Sequence, residues 1–346
     1  MRFYQQQHPY YCGIDLHART MHVCVVDDNG LTREHVNLPC DPGRFLKLIE
    51  PYRDQLVVSC ECLFAWYWLA DLCRQHDITF VLGHALYMKA IHGGKAKTDK
   101  IDSEKIARLL RGGMLPQAYV YPHEMRATRD LLRRRMKLMR LRGQSLAHVT
   151  NTFTQYNLAA PEKRLSSKVN RLGVAERFAD VSVQQAVRSD LALAEHLDEQ
   201  LRGIESYLVA HAKVDDPQTF ARLQTVPGIG PILALVLLYE IHDVRRFPTV
   251  QQFVSYCRLV KCAHQSADKV TSGKGNKIGN AHLKWAFSEA SLLMLRELPA
   301  AKSHVARLEK KHGKAKALSI LAARVGRTVY WMLKRKEAFD ATRFWK

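Results

Sequence analysis

The chain has 346 residues, 47% of them apolar, which is enough to bury ordinary cores and excludes a disordered tail protein. Lys and Arg number 53 against 33 Asp and Glu, a net charge of +20 with histidine neutral, and an excess of that size favours a polyanionic partner. No apolar run approaches the ~20 residues that span a bilayer, and MRFYQQQHPYY at the N-terminus lacks an apolar signal region, so a cytoplasmic protein with no membrane partner is expected.

The length predicts two or three domains. Eight cysteines lie at 12, 24, 40, 60, 62, 73, 257 and 262, none in a CxxC pair or beside a histidine that completes a zinc pattern. They read as reduced, mostly buried small side chains. The histidines are scattered without ligand spacing and suggest no role.

Residues 9–122 read as an α/β domain. YYCGIDLH and MHVCVVDD are short apolar runs around a polar turn, which predicts a hairpin. After the Asn29-Gly30 turn signal, LTREHVNLP alternates as a third strand. Asp41 and Pro42 open a helix through GRFLKLIEPY. QLVVSC is a buried-strand run, FAWYWLADLCRQH is helical by its apolar spacing, and ITFVLGH is a further strand. A helix from Asp99 to Leu110 ends at Gly112-Gly113. The predicted order is βββαβαβα, the order of an RNase H/RuvC-like fold.

Four acids stand out against this frame. Asp15 and Glu61 close strand-like runs, and Asp99 and Asp102 lie three apart on one face at the start of a helix. The topology brings these ends together. Four converging carboxylates repel unless hard cations neutralise them, and oxygen ligands suit Mg²⁺. A metal pair can clamp the attacking and leaving oxygens of a phosphodiester. A single Asp at a strand end is more often a turn or capping residue, and Glu61 alone reads equally well as a solvated helix cap; the quartet in this topology favours catalysis.

Residues 123–215 read as extended basic helices with coiled-coil character. Arg133, Arg134, Arg135, Lys137, Arg140 and Arg142 form a cluster beside a leucine stripe. A second apolar repeat runs from Leu191 to Leu208, compatible with a helical hairpin or coiled coil. A solvated helix face is the simplest reading of the arginines; the net charge favours contacts to phosphate.

Residues 216–346 read as a mostly α-helical C-terminal domain. LQTVPGIGPILALVLLYEI resembles a helix-hairpin-helix element, in which Gly228 and Gly230 permit a tight turn with exposed N–H groups for phosphate. A plain helix–helix turn is the alternative. The polar stretch from Lys261 to Asn280 contains Ser266, Thr271 and Ser272, and nothing in its composition chooses among these hydroxyls. Lys269, Lys274 and Lys277 in the same stretch can bind phosphate.

GIDLH, the Glu61 segment, KTDKID, VPGIG and NKIGNAHLKWA, in that order, resemble the DEDD insertion-sequence transposases that include the Piv-type DNA invertases. The resemblance runs from about residue 11 nearly to the end. It implies an RNase H/RuvC-like domain, a coiled-coil segment and a C-terminal transposase domain. It implies that Asp15, Glu61, Asp99 and Asp102 bind Mg²⁺ and that a serine joins covalently to DNA. By register that serine is Ser266, with Ser272 the alternative; Ala267 stands where the family commonly has glycine, and Lys261 where it usually has proline. The resemblance further implies target and donor DNA, a structured noncoding bridge RNA as guide, and a dimer of dimers whose active sites combine acids and serine from different protomers. A junction-resolving or structure-selective metal nuclease, which needs the acids but not the serine, and a non-catalytic nucleic-acid-binding protein are the competing readings.

Overall fold

The computed structural model describes residues 2–91, 98–212, 217–260, 263–266, 269–272 and 278–345, with backbone alone at 89–91, 263–266 and 269–272. It divides into two compact units, Met1–Glu124 and Met125–Lys346.

The first unit is a mixed sheet with helices on both faces. Its elements are β1 (Tyr10–Leu16), β2 (Thr20–Asp27), β3 (Thr32–Pro39), α1 (Pro42–Ile49), β4 (Leu56–Glu61), α2 (Trp66–Gln75), β5 (Thr79–Gly83), α3 (Ala85–Ile91) and α4 (Asp99–Arg111). The spatial strand order is β3-β2-β1-β4-β5. β1 is antiparallel to β2 and parallel to β4, so it occupies the centre, where both neighbours cover its backbone groups.

Local chemistry accounts for several of these boundaries. The β2–β3 turn closes with Gly30 at φ +84°, its N–H donating to the Asp27 carbonyl. Asp41 caps α1 by accepting from the Arg44 N–H at 2.7 Å, with Pro42 in the first turn. The short helix α3 went unpredicted.

Strand alternation sorts the buried residues into two layers. Cys12, Ile14, Val23, Val58 and Cys60 pack with Phe45 of α1 and Leu69 of α2. Tyr11, Cys24, Val26 and Val57 pack on the opposite face with Ile106, Ala107 and Leu110 of α4. Gly13 belongs to that second face. A Cβ built there would lie 2.3 Å from both the Ala107 nitrogen and the Ser103 carbonyl oxygen. Only hydrogen at this position lets the α4 backbone rest directly on β1.

Among the described residues, the second unit is helical apart from one antiparallel strand pair. It contains α5 (His123–Gln155, from residue 125), α6 (Val181–His211), α7 (Pro217–Gln224), α8 (Pro231–Ile241), α9 (Val250–Tyr256), β6 (Ala263–Ser266), β7 (Lys269–Ser272), α10 (Ala281–Glu297), α11 (Pro299–His312), α12 (Lys314–Arg335) and α13 (Ala341–Trp345). The long helices α5 and α6 run antiparallel, tied by Arg135–Glu205, Arg142–Asp198 and His148–Asp190 pairs. Helix α8 is apolar around nearly its whole circumference and lies in the main core with α10 and α12. The polar stretch read as a loop contains the antiparallel pair β6–β7. No helix among the described residues is long and apolar enough to cross a membrane.

Candidate functional site

The same alternation that builds the core aims the acids. With Cys12, Ile14 and Leu16 in the α1/α2 layer, Asp15 projects from β1 to the α4 side. With Leu56, Val58 and Cys60 in that layer, Glu61 projects to the α4 side from the end of β4. The pairing of Ile14 with Cys60 sets Asp15 and Glu61 at neighbouring ends of two parallel strands.

Helix α4 enters over that edge. Thr98 caps it by accepting from the Ile101 N–H at 3.3 Å, and Asp99 and Asp102 occupy its first turn, where the helix dipole tolerates negative charge. One oxygen each of Asp15 and Asp99 lies 3.4 Å from His17 Nε2. Ligand atoms of Asp15, His17 and Asp99 fall within 4.8 Å of one another. The Asp102 carboxylate, one turn further along, meets Lys105 Nζ at 3.4 Å.

Thus β1 and α4 bring Asp15 and Asp99 together around His17, whereas Glu61 and Asp102 are not part of that group among the described residues. His17 escaped the sequence reading. Its position two residues after Asp15 puts it on the same side of an extended strand, and that spacing was the available signal. Two carboxylates and an imidazole within such a span suit a divalent cation; the oxygens fit Mg²⁺, and the nitrogen adds affinity for borderline ions such as Mn²⁺.

In the second unit, the segment that carries Ser266 is anchored by a buried charge network. Glu240 of α8 is 1% exposed. It accepts from Arg133 at 2.6 and 2.9 Å, from Arg129 at 3.1 Å and from the Asn280 amide at 2.7 Å. Burial pushes the Glu240 carboxyl up, but the Arg133 hydrogen bonds and the charges of Arg129 and Arg133, with Asn280, outweigh it and bring the pKa down to about 2. Asn280 also caps α10, accepting from the His282 and Leu283 N–H groups, and its own N–H donates to the Tyr256 carbonyl at 2.6 Å. The two ends of the β6–β7 segment therefore meet at Tyr256 and Asn280.

Ser266 ends β6 and pairs in register with Lys269, while Ser272 pairs with Ala263. The side chains of Ser266, Thr271, Ser272 and Lys269 lie outside the described residues, as do Lys274 and Lys277 entirely.

Two expectations about phosphate contacts need correction. Arg133 is committed to Glu240, and Arg135 donates to Glu205 at 2.7 Å, so neither belongs to an open basic face. Arg134 and Lys137 are exposed. At the Pro-Gly-Ile-Gly turn, Gly228 adopts φ +87° and is buried, its N–H donating to Glu297 at 3.0 Å. A Cβ there would meet the Ala290 oxygen at 2.5 Å, so this glycine serves packing of the turn on α10. Gly230, at the N-cap of α8, is the exposed member.

Residues 12–158 match the model of DEDD transposases of the IS110 type, and residues 220–306 match the model described as the transposase IS116/IS110/IS902 family. The two segments contain the four acids and the Ser266 region respectively. The chain belongs to the IS110 family of transposases. Similar proteins include a probable family 20 transposase of Pseudomonas aeruginosa, 24% identical over 66% of this chain and 68% of that protein. A putative transposase of Sinorhizobium fredii is 22% identical over 71% and 64%. The transposase for insertion sequence element IS1111A of Coxiella burnetii is 23% identical over 70% and 68%. The chain thus spans about two thirds of the length of these relatives.

Proposed function

We propose that this transposase cuts and rejoins DNA through a divalent-metal site on the first unit and a serine nucleophile on the second. The observation that carries the reading is the convergence of Asp15 and Asp99 from β1 and α4 on one edge of the sheet. In it, Asp15, Glu61, Asp99 and Asp102 hold the cation, for which Mg²⁺ is the abundant hard candidate, and His17 adds a nitrogen donor beside Asp15 and Asp99. A bound divalent ion supplies positive charge to the scissile phosphate and to the departing oxygen.

The remaining chemistry falls to the protein. The Ser266 Oγ attacks phosphorus and forms a phosphoserine ester, and the displaced deoxyribose oxygen leaves as a hydroxyl. Attack by a new DNA hydroxyl reverses the exchange and returns the serine proton. Bond energy is thereby kept for rejoining, which recombination needs and hydrolysis does not. The Glu240–Asn280 network supports this role by fixing the base of the β6–β7 segment. Helix-hairpin-helix contact with phosphates through Gly230, coiled-coil pairing of α5 with α6, a noncoding bridge RNA as guide, and a dimer of dimers with composite sites complete the proposal.

The test is denaturing gel analysis of DNA incubated with Mg²⁺ and RNA transcribed from the flanking DNA. A protein-linked strand is expected, lost in Ser266→Ala, Asp15→Asn and Asp99→Asn but retained in Ser272→Ala. Free cleavage that ignores Ser266→Ala would instead support a junction-type nuclease. Complementation of an acid-dead subunit by a serine-dead one tests the composite site.

A further inference from the structure

The chain's positive charge is unevenly placed. Residues 299–346 carry thirteen Lys and Arg against three Asp and Glu, a net of +10 out of +20 for the whole protein. Most of this region, from residue 307 onward, lies beyond both segments matched by the family models. Its three helices, α11 to α13, surround a cavity of about 330 Å³ lined by Ala300, Ser303, His304, Arg307, Arg324 and Trp345. That volume is at the lower end of the ~300–1,000 Å³ of ligand pockets, and no acidic side chain lines it.

The lining combines aromatic walls with fixed cations. The His304 and Trp345 ring centroids are 5.3 Å apart. The Arg324 guanidinium sits 5.7 Å from the Trp345 ring centroid, and its Nε donates to the Phe344 carbonyl at 2.6 Å, which immobilises it. Arg307 is exposed and donates to His304 Nδ1 at 3.2 Å. Burial and the charges of Arg324 and Arg307 hold the His304 pKa below the ordinary histidine value. With Nδ1 accepting from Arg307, the proton resides on Nε2. That Nε2 is buried and has no hydrogen-bond partner among the described residues. The cavity therefore offers an aromatic face and two guanidiniums.

We propose that this cavity binds one unpaired nucleotide of a nucleic-acid strand, its base against Trp345 and its phosphate on Arg307 and Arg324. Phosphate alone accounts for the arginines but leaves the aromatic wall idle. A base inside a duplex cannot enter a cavity, whereas a splayed base stacks on an aromatic ring and places its phosphate within reach of arginine. The cavity shares no residue with the acids and serine given the cutting chemistry, and it holds a strand without cleaving it.

Fluorescence anisotropy of the full chain with labelled oligothymidylate, oligouridylate and a mixed-sequence duplex tests this. Trp345→Ala weakens single-strand binding about tenfold or more, the scale of one lost base–aromatic stack, and leaves duplex binding unchanged. Trp345→Phe, which keeps a stacking face and guards against a folding defect, restores most of it. Arg307→Ala weakens single-strand binding more than Lys310→Ala, which removes equal charge from an exposed position on the same helix. The preferred homopolymer identifies RNA or DNA as the source, and a preference either way supports the proposal. Single-strand affinity unchanged in both Trp345→Ala and Arg307→Ala overturns it. So does displacement of the strand by inorganic phosphate as readily as by a mononucleotide.

Discussion

Gly13→Ala tests how the fold builds the metal site. The added methyl would sit 2.3 Å from two backbone atoms of α4, at Ser103 and Ala107. Carbon contacts relax near ~3.5 Å, and backbone atoms cannot rotate aside, so α4 must retreat by about 1 Å. Overpacking of this kind costs about 1–3 kcal/mol. Helix α4 carries Asp99 and Asp102 away from Asp15 as it moves, and a ~1 Å misplacement of reacting groups costs about 10²-fold in rate. The variant should therefore lose stability in urea denaturation and lose Mn²⁺ affinity, read from the free-ion signal in electron paramagnetic resonance. Gly143→Ala is the control. It lies inside α5 with open space around its Cβ position, and should stabilise by about 0.5–1 kcal/mol. If Gly13→Ala matches that control in both readouts, α4 does not depend on close contact with β1 and the reasoning fails.

Two other outcomes follow from particular side chains. The Glu240 carboxyl, at about 2 in the folded protein against an ordinary 4.5, contributes stability that is complete above pH 4.5 and is lost as pH falls toward 2. The shift corresponds to about 3 kcal/mol, so Glu240→Gln should cost about that much at pH 7 and progressively less in acid. An equal cost at pH 7 and pH 3 in chemical denaturation would count against the ion network. His17→Ala should lower affinity for Mn²⁺ more than for Mg²⁺, since a nitrogen donor favours the borderline ion. Calorimetry showing both affinities reduced by the same factor would leave His17 with no ligand role.

Much of the first unit was legible because its strands alternate and its caps carry distinct chemistry. Asp41-Pro42, Asn29-Gly30 and the apolar runs marked out the element order, and that order placed Asp15 and Glu61 at adjacent strand ends. Gly13 was legible in principle, since a glycine inside a strand marks close approach of another backbone. His17 was hidden among sixteen scattered histidines, although its spacing from Asp15 singled it out. The Glu240 network was not legible locally. Glu240 sits in an apolar run, and its arginine partners lie 107 and 111 residues away, so only tertiary packing joins them. The same packing took Arg133 out of the basic face expected from its neighbours. The β6–β7 pair was missed because its strands, four mostly polar residues each, lack the apolar alternation that a half-buried sheet imposes.

The most direct measurement is a Mn²⁺ titration of the wild-type chain and of Asp15→Asn, Glu61→Gln, Asp99→Asn and Asp102→Asn, each checked for folding by circular dichroism. Saturable binding in the wild type, weakened at least tenfold by each neutralisation and competed by Mg²⁺, is what the proposed four-carboxylate site predicts. Folded Asp15→Asn and Asp99→Asn variants that bind the ion as tightly as the wild type would contradict the account.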